Sequence, residues 1–374
     1  MLKDLIGIID STEENEQLKE ITRTRSLVAL PMASRYRLVD FLLSNMVNSG
    51  IHNVGIVTLN HYNSLVEHLG SGKEWDLNRK RGGLLIFPPY GNDQSQDLYR
   101  GNVDAIESAM GFIKGCQEKY VLITASSMLY KLTFDKAFDK HLETGADITL
   151  FYSENQELTR EEKRHSTLLD IDDEGCVTDI QINSSSSKLK NIYMNTCIIE
   201  KNLLEYLLEE CISRGNYDFV KDVLLLKLKK LKIYGYSYSG YLAQMNSVKA
   251  YFDHNMELLN KNVREELFFN EGLIHTKVMD EPPAIYTEDA EIKNCMIADG
   301  CRIEGTVENS ILFRRVKVGK GSIIKNCIIM QDTEIYENVT LENVIIDKNV
   351  IIRRNRKMIG QKSYPMVVAK GSVI

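Results

Sequence analysis

Along roughly the first two-thirds of the chain, apolar residues gather in short runs: LIGII (5–9), NVGIVT (53–58), YVLITA (120–125) and DITLFY (147–152). Runs of this length, rich in Ile and Val, predict strands buried on both faces. Between them the period lengthens. DFLLSNMVNSG (40–50), SLVEHLG (64–70), NVDAIESAMGFIKGCQ (102–117) and FDKAFDKHLETG (134–145) predict helices; in the third, Val103, Ile106, Met110 and Ile113 form one apolar stripe. Strand and helix in alternation imply a Rossmann-like α/β domain with a mostly parallel mixed sheet. The polar, Gly- and Pro-rich stretch 70–102 is expected to project over the mouth of that sheet, with Trp75 serving an interface or a lid. NSSSSKLK (183–190) predicts another exposed turn.

After Pro283 the rhythm changes. KNCMIADGCRI (293–303), ENSILFRRVKV (308–318), KNCIIMQDTEI (325–335) and ENVIIDKNVII (342–352) repeat one theme, with Asn294, Asn309, Asn326 and Asn343 at corresponding places. Aliphatics recur six residues apart, as in Ile297–Ile303, Ile329–Ile335–Leu341 and Val339–Ile345–Ile351. Six-residue steps with polar corners predict a parallel β-helix, each rung burying its aliphatics against the next. The expected organisation is an α/β domain over 1–255, a linker over 256–283 and a β-helix over 284–374.

A formal net charge of -6 over 374 residues provides no broad basic field for nucleic acid. KNLLEYLLEE and LLLKLKK are amphipathic but far too short to span a membrane. Seven cysteines, widely spread and without a CxxC pair, read as reduced thiols. With Met1–Asp4 leading straight into a strand-like run, the expected location is cytoplasmic. The strand–connection–helix at the start occupies the place of a phosphate loop, yet no glycine lies between Gly7 and Gly50, and Glu13, Glu14, Glu16 and Glu20 fill the connection. Such a loop approaches a phosphate poorly and repels it.

Several stretches resemble the ADP-glucose pyrophosphorylase family: PMASRYRLVDFLLSNMVNSGIHNVGIVT (31–58), YRGNVDAIESA (99–109), RGNYDFVKDVLL (214–225), YSYSGYLAQMNSVKAYFDHNMELL (236–259) and the repeats. The resemblance implies a nucleotidyltransferase α/β domain followed by a left-handed parallel β-helix. It also exposes departures. Where catalytic members carry two magnesium-binding aspartates, this chain has Ser127 and Gln244; where they carry a lysine-proline pair, it has Leu27-Val28. Serine and glutamine offer oxygens without the charge that holds Mg²⁺ beside phosphoryl groups.

The pattern of loss resembles the divergent GlgD-type subunit of that enzyme, which implies a catalytic ADP-glucose pyrophosphorylase partner, a heterotetramer, Mg²⁺ on the partner, no cofactor or metal on this chain, and a phosphorylated small-molecule effector. A vestigial ligand pocket is expected to involve Arg25, Arg35, Arg37, Arg100, Gly101, Asp104, Lys221 and Asp222. Arg23 and Arg25 meet an anion or lie solvated on the surface. Arg35 and Arg37 contact phosphate or anchor a turn, with Asp40 capping the next helix. Arg100 and Asp104 bracket Gly101 as ligand contacts or as a simple cap. Arg314, Arg315, Lys317 and Lys320 form either an anionic effector site or a solvated rim. His52, His61, His68 and His141 are placed at helix ends or on the surface. Two other readings stay open: a self-sufficient nucleotidyltransferase using Asp104, Asp170 or Asp222, and a sugar-phosphate or sugar-nucleotide sensor.

Overall fold

A computed structural model describes residues 4–374 except 14, 60, 81, 90–98, 155–157 and 271. Four parallel strands form the centre of the first domain, in the spatial order Tyr120–Ala125, Leu5–Ser11, Asn53–Thr58 and Gly83–Phe87. The ten-residue strand Asn191–Glu200 runs antiparallel to Tyr120–Ala125 and carries Ile148–Glu154 on its far side. Ile233–Tyr238 then pairs in parallel with Ile148–Glu154. Helices cover both faces, as a buried parallel sheet requires.

On one face Leu38–Asn48 packs through Val39, Leu42, Leu43 and Met46. Its approach is so close that a Cβ at Gly7 would sit 2.5 Å from Met46 Sδ. On the other face lie Asn102–Ser108, Met110–Gly115 and Lys201–Ser213. Val103, Ile106, Met110 and Ile113 are all buried, although the single helix expected there breaks at Ala109.

Two expectations need correction. The stretch 70–102 is not simply an excursion: Gly83–Phe87 extends the sheet, and Trp75, 1% exposed, belongs to the core beside Leu69 and Leu77. The rest of that expectation falls partly on 81 and 90–98, outside the described residues. His68 and His141 are also buried. His68 Nε2 lies 2.6 Å from Asp40 Oδ1, and His141 Nδ1 lies 2.8 Å from Thr149 Oγ1. Asp40 is the third residue of its helix, where its Oδ2 accepts the Arg37 backbone N–H and completes a capping box.

Three five-stranded parallel sheets make up the C-terminal β-helix. The asparagines recognised in the sequence stand at one corner, where Asn294, Asn309, Asn326 and Asn343 all adopt φ between 46° and 53°. This left-handed conformation suits asparagine better than most side chains. Ile303, Ile329, Ile335 and Leu341 point into the solenoid. Ile311, Ile328 and Ile345 instead leave one sheet outward and are fully buried against Leu27, Phe41, Tyr251 and Phe252 of the first domain. Each such side chain contributes about 1.5–3 kcal/mol of burial, so the two domains share a core. The connection that follows the helix Val248–Glu257 contains the helix Lys261–Phe269 and is tied down by Thr276 Oγ1 to Asp40 Oδ2 at 2.5 Å and by the His275 N–H to Ser44 Oγ at 2.8 Å.

Candidate functional site

The sequence-derived candidates divide between two cavities. The first is a cleft of about 650 Å³ outside the carboxyl ends of the parallel strands, where α/β sheets place their ligands. Thr12 and Glu13 enter it from the first strand, Leu59 from the second, and Arg100 and Gly101 from the start of the 102–108 helix. Asn183, Asn195, Gln244 and the Tyr217–Asp222 segment line the remainder. Gly101 is required by close approach: a Cβ there would lie 2.2 Å from the Tyr217 carbonyl, which accepts the Val103 N–H.

At the floor, Met128–Leu129 pairs with Ala243–Gln244, and the Met245 N–H donates to the Ser127 carbonyl at 2.7 Å. The sequence match to the two metal positions is therefore spatially coherent. The side chains do not fit a magnesium ion. The Gln244 amide is held internally, Oε1 accepting from Ser166 Oγ and Nε2 donating to the His165 carbonyl, both at 2.9 Å. Ser127 brings a hydroxyl and no charge. Among the described residues, no three His, Cys, Asp or Glu side chains converge as a metal site.

The nearest acid comes from the glycine-free connection. Burial in the crowded cleft pushes the Glu13 carboxyl up to about 7, against the neighbouring Ser127 hydroxyl and with the like charge of Asp10 adding to the rise. The Glu13 side chain is nevertheless solvent-exposed, so water offsets much of that rise. Burial also raises Asp10, although Oδ1 accepts from the Thr12 N–H and Oγ1. The two cations on the opposite wall have acids of their own: Arg100 pairs with Asp104 at 2.9 Å, and Lys221 with Asp218 at 3.1 Å. Asp222 Oδ2 accepts the Asp218 N–H.

Arg25, Arg35 and Arg37 do not join this cleft. They line a second cavity, of about 440 Å³, between the α/β domain and the β-helix, facing Lys277, Arg314, Lys348 and Lys370. Arg25 is 2% exposed; its Nη2 lies 2.5 Å from Asp347 Oδ1 and its Nη1 donates to the Ile21 carbonyl. It is not solvated, because a buried guanidinium needs a carboxylate and the β-helix supplies one. Arg37 Nη1 donates to the Ser64 carbonyl at 2.6 Å, and burial pushes its pKa down to about 10. Arg35 stays half-exposed, 3.9 Å from Asp299.

The basic cluster on the solenoid divides as well. Arg314 and Arg315 both line the cavity, Arg315 paired with Glu281 and Asp332, whereas Lys317 pairs with Glu334 and Lys320 with Asp289. Lys348 was not among the sequence candidates. Burial, then the neighbouring Arg37 and Arg25, push its amine down to about 7. A signal lay next to it: Asp347 places a carboxylate in the column otherwise occupied by Ala298, Phe313 and Met330.

Comparison with known proteins agrees with this geometry. The Nucleotidyl transferase family model matches residues 11–248, and the GlmU-like C-terminal hexapeptide model matches 282–364. The glycogen biosynthesis protein GlgD of Bacillus subtilis is 36% identical over 99% of this chain and 96% of its own length. That of Geobacillus stearothermophilus is 38% identical over 100% and 98%. A glucose-1-phosphate adenylyltransferase of Clostridium perfringens is 31% identical over 89% and 85%. A nucleotidyltransferase fold joined to a hexapeptide β-helix and matched end to end by these relatives places the chain in the nucleotidyl transferase family, among the GlgD glycogen biosynthesis proteins.

Proposed function

We propose that this chain is a regulatory or supporting subunit of glucose-1-phosphate adenylyltransferase, with little or no catalysis of its own. The observation that carries the reading is the lack of metal-binding charge at Ser127 and Gln244, brought close together where Met128–Leu129 pairs with Ala243–Gln244, with Glu13 near Ser127. Phosphoryl transfer from ATP needs its developing charge neutralised, and these residues do the opposite. Of the acids that a self-sufficient enzyme would use, Asp104 is occupied by Arg100 and Asp222 by the Asp218 N–H, while Asp170 does not line the cleft. In the complex, Mg²⁺ and the conversion of ATP and glucose 1-phosphate to ADP-glucose and pyrophosphate belong to the catalytic partner, in a cytoplasmic heterotetramer. This chain acts by contacting the partner differently in its two states.

The interdomain cavity supports a second element of the reading, a phosphorylated effector. Cations from the α/β domain, the connection and the β-helix converge there, so one multivalent anion would bridge all three. The test is ADP-glucose formation by this protein, by the partner and by the purified mixture. Silence alone with a rise in the partner's kcat or kcat/KM on mixing is the expected result; metal-dependent turnover by this chain at the partner's rate would refute it.

A further inference from the structure

We propose that the 650 Å³ cleft binds an unphosphorylated saccharide, a hexose or the end of a short glucan, and rejects the phosphorylated forms. This rests on the reading of the chain as a non-catalytic subunit and names the ligand of the site that subunit retains. A cleft of this volume lies in the range, about 300–1,000 Å³, that takes a small molecule.

Its lining suits hydroxyl chemistry better than phosphate chemistry. Glu13 lines the cleft just past the end of the first strand, where a phosphate would meet like charge. Arg100 and Lys221, the cations facing the cleft among its described lining, are held by Asp104 and Asp218. What remains are groups that pair with sugar hydroxyls. Asn183 and Asn195, with φ of 53° and 48°, hold two amides at the wall, and the Asn195 amide makes only a long 3.4 Å contact to Glu13. A hydroxyl both donates and accepts, as an amide does, so a ring carrying several is satisfied without net charge. Glu13 suits the same ligand: its carboxylate accepts hydrogen bonds from sugar hydroxyls.

The experiment is calorimetric titration of the full-length protein with maltose, glucose, glucose 1-phosphate and ADP-glucose, with and without Mg²⁺. Maltose or glucose is expected to bind at least about tenfold tighter than glucose 1-phosphate, with Mg²⁺ making no difference. Asn195→Gly keeps the left-handed backbone, removes the amide and should weaken maltose by about tenfold. Glu13→Lys, at an exposed position, should reverse the preference. The proposal is overturned if no neutral sugar binds, if glucose 1-phosphate binds as tightly as maltose, or if Mg²⁺ brings phosphorylated ligands in. Stimulation of the catalytic partner is measured on the same preparations. Stimulation without sugar binding removes this proposal and leaves the subunit reading standing; sugar binding without stimulation does the reverse.

Discussion

Arg25 and Asp347 are separated by 322 positions yet form a nearly dry ion pair, 2% and 4% exposed. Removing one partner leaves a buried charge unmatched, a loss of about 3–5 kcal/mol, whereas replacing both with apolar groups of similar volume is close to neutral. Asp347→Ala is therefore expected to lower the denaturation midpoint sharply, and Arg25→Met with Asp347→Leu to restore most of it. An equal loss in the single and the double variant would show that the pair contributes nothing specific. Arg25 was legible in the sequence as a cation of interest, but its partner was not, because no local period connects positions so far apart. The same holds for His68, whose carboxylate, Asp40, is on a different helix, and for Trp75, where Gly- and Pro-rich neighbours suggested solvent but the fold supplied a core.

Elements whose own period dictates their environment were the easiest to read. The strands Asn53–Thr58 and Tyr120–Ala125 coincide with their apolar runs, and the asparagine repeat fell on a left-handed corner. Asn326→Ala, at φ 48°, should destabilise by about 1–2 kcal/mol, and Asn326→Gly by much less, when their unfolding is compared in denaturant. Equal stability of the two variants would mean that the corner conformation carries no penalty. The long strand Asn191–Glu200 escaped notice because its apolar pattern is interrupted where the register shifts, between Tyr193 and Cys197, against its neighbour. The Met110–Gly115 helix was visible as a stripe but not as a separate helix, since Val103 and Ile113 serve the same core on either side of the break.

Across the whole molecule, the outward row Ile311, Ile328 and Ile345 fuses β-helix and α/β domain, and the interdomain cavity opens beside that shared core. Lys348 makes its behaviour dependent on pH. Its amine is held at about 7, so it is largely charged at pH 6 and largely neutral at pH 8. Sulfate, whose own charge is constant over that interval, should bind the cavity more weakly as pH rises through 7, and Lys348→Met should abolish the change. A flat profile in the wild-type protein would exclude Lys348 from anion binding. Without anion the linkage has the opposite sense: the folded amine lies below its ordinary 10.5, so the penalty is complete below about 7 and is relieved as pH rises from about 7 toward 10.5. Rungs of the β-helix repeat about every 4.8 Å, and Asp347 lies one rung past Met330 in the column that meets Arg25. The solenoid is thus a ruler as well as a support: its length in rungs decides which side chain is presented to a fixed guanidinium on the other domain. Excising one whole 17-residue rung ahead of Asp347, the spacing that separates Arg315 from its partner Asp332, would preserve every corner and still offer the wrong graduation. A protein built this way can keep this ion pair through a change of length only by moving that single carboxylate one repeat along the chain.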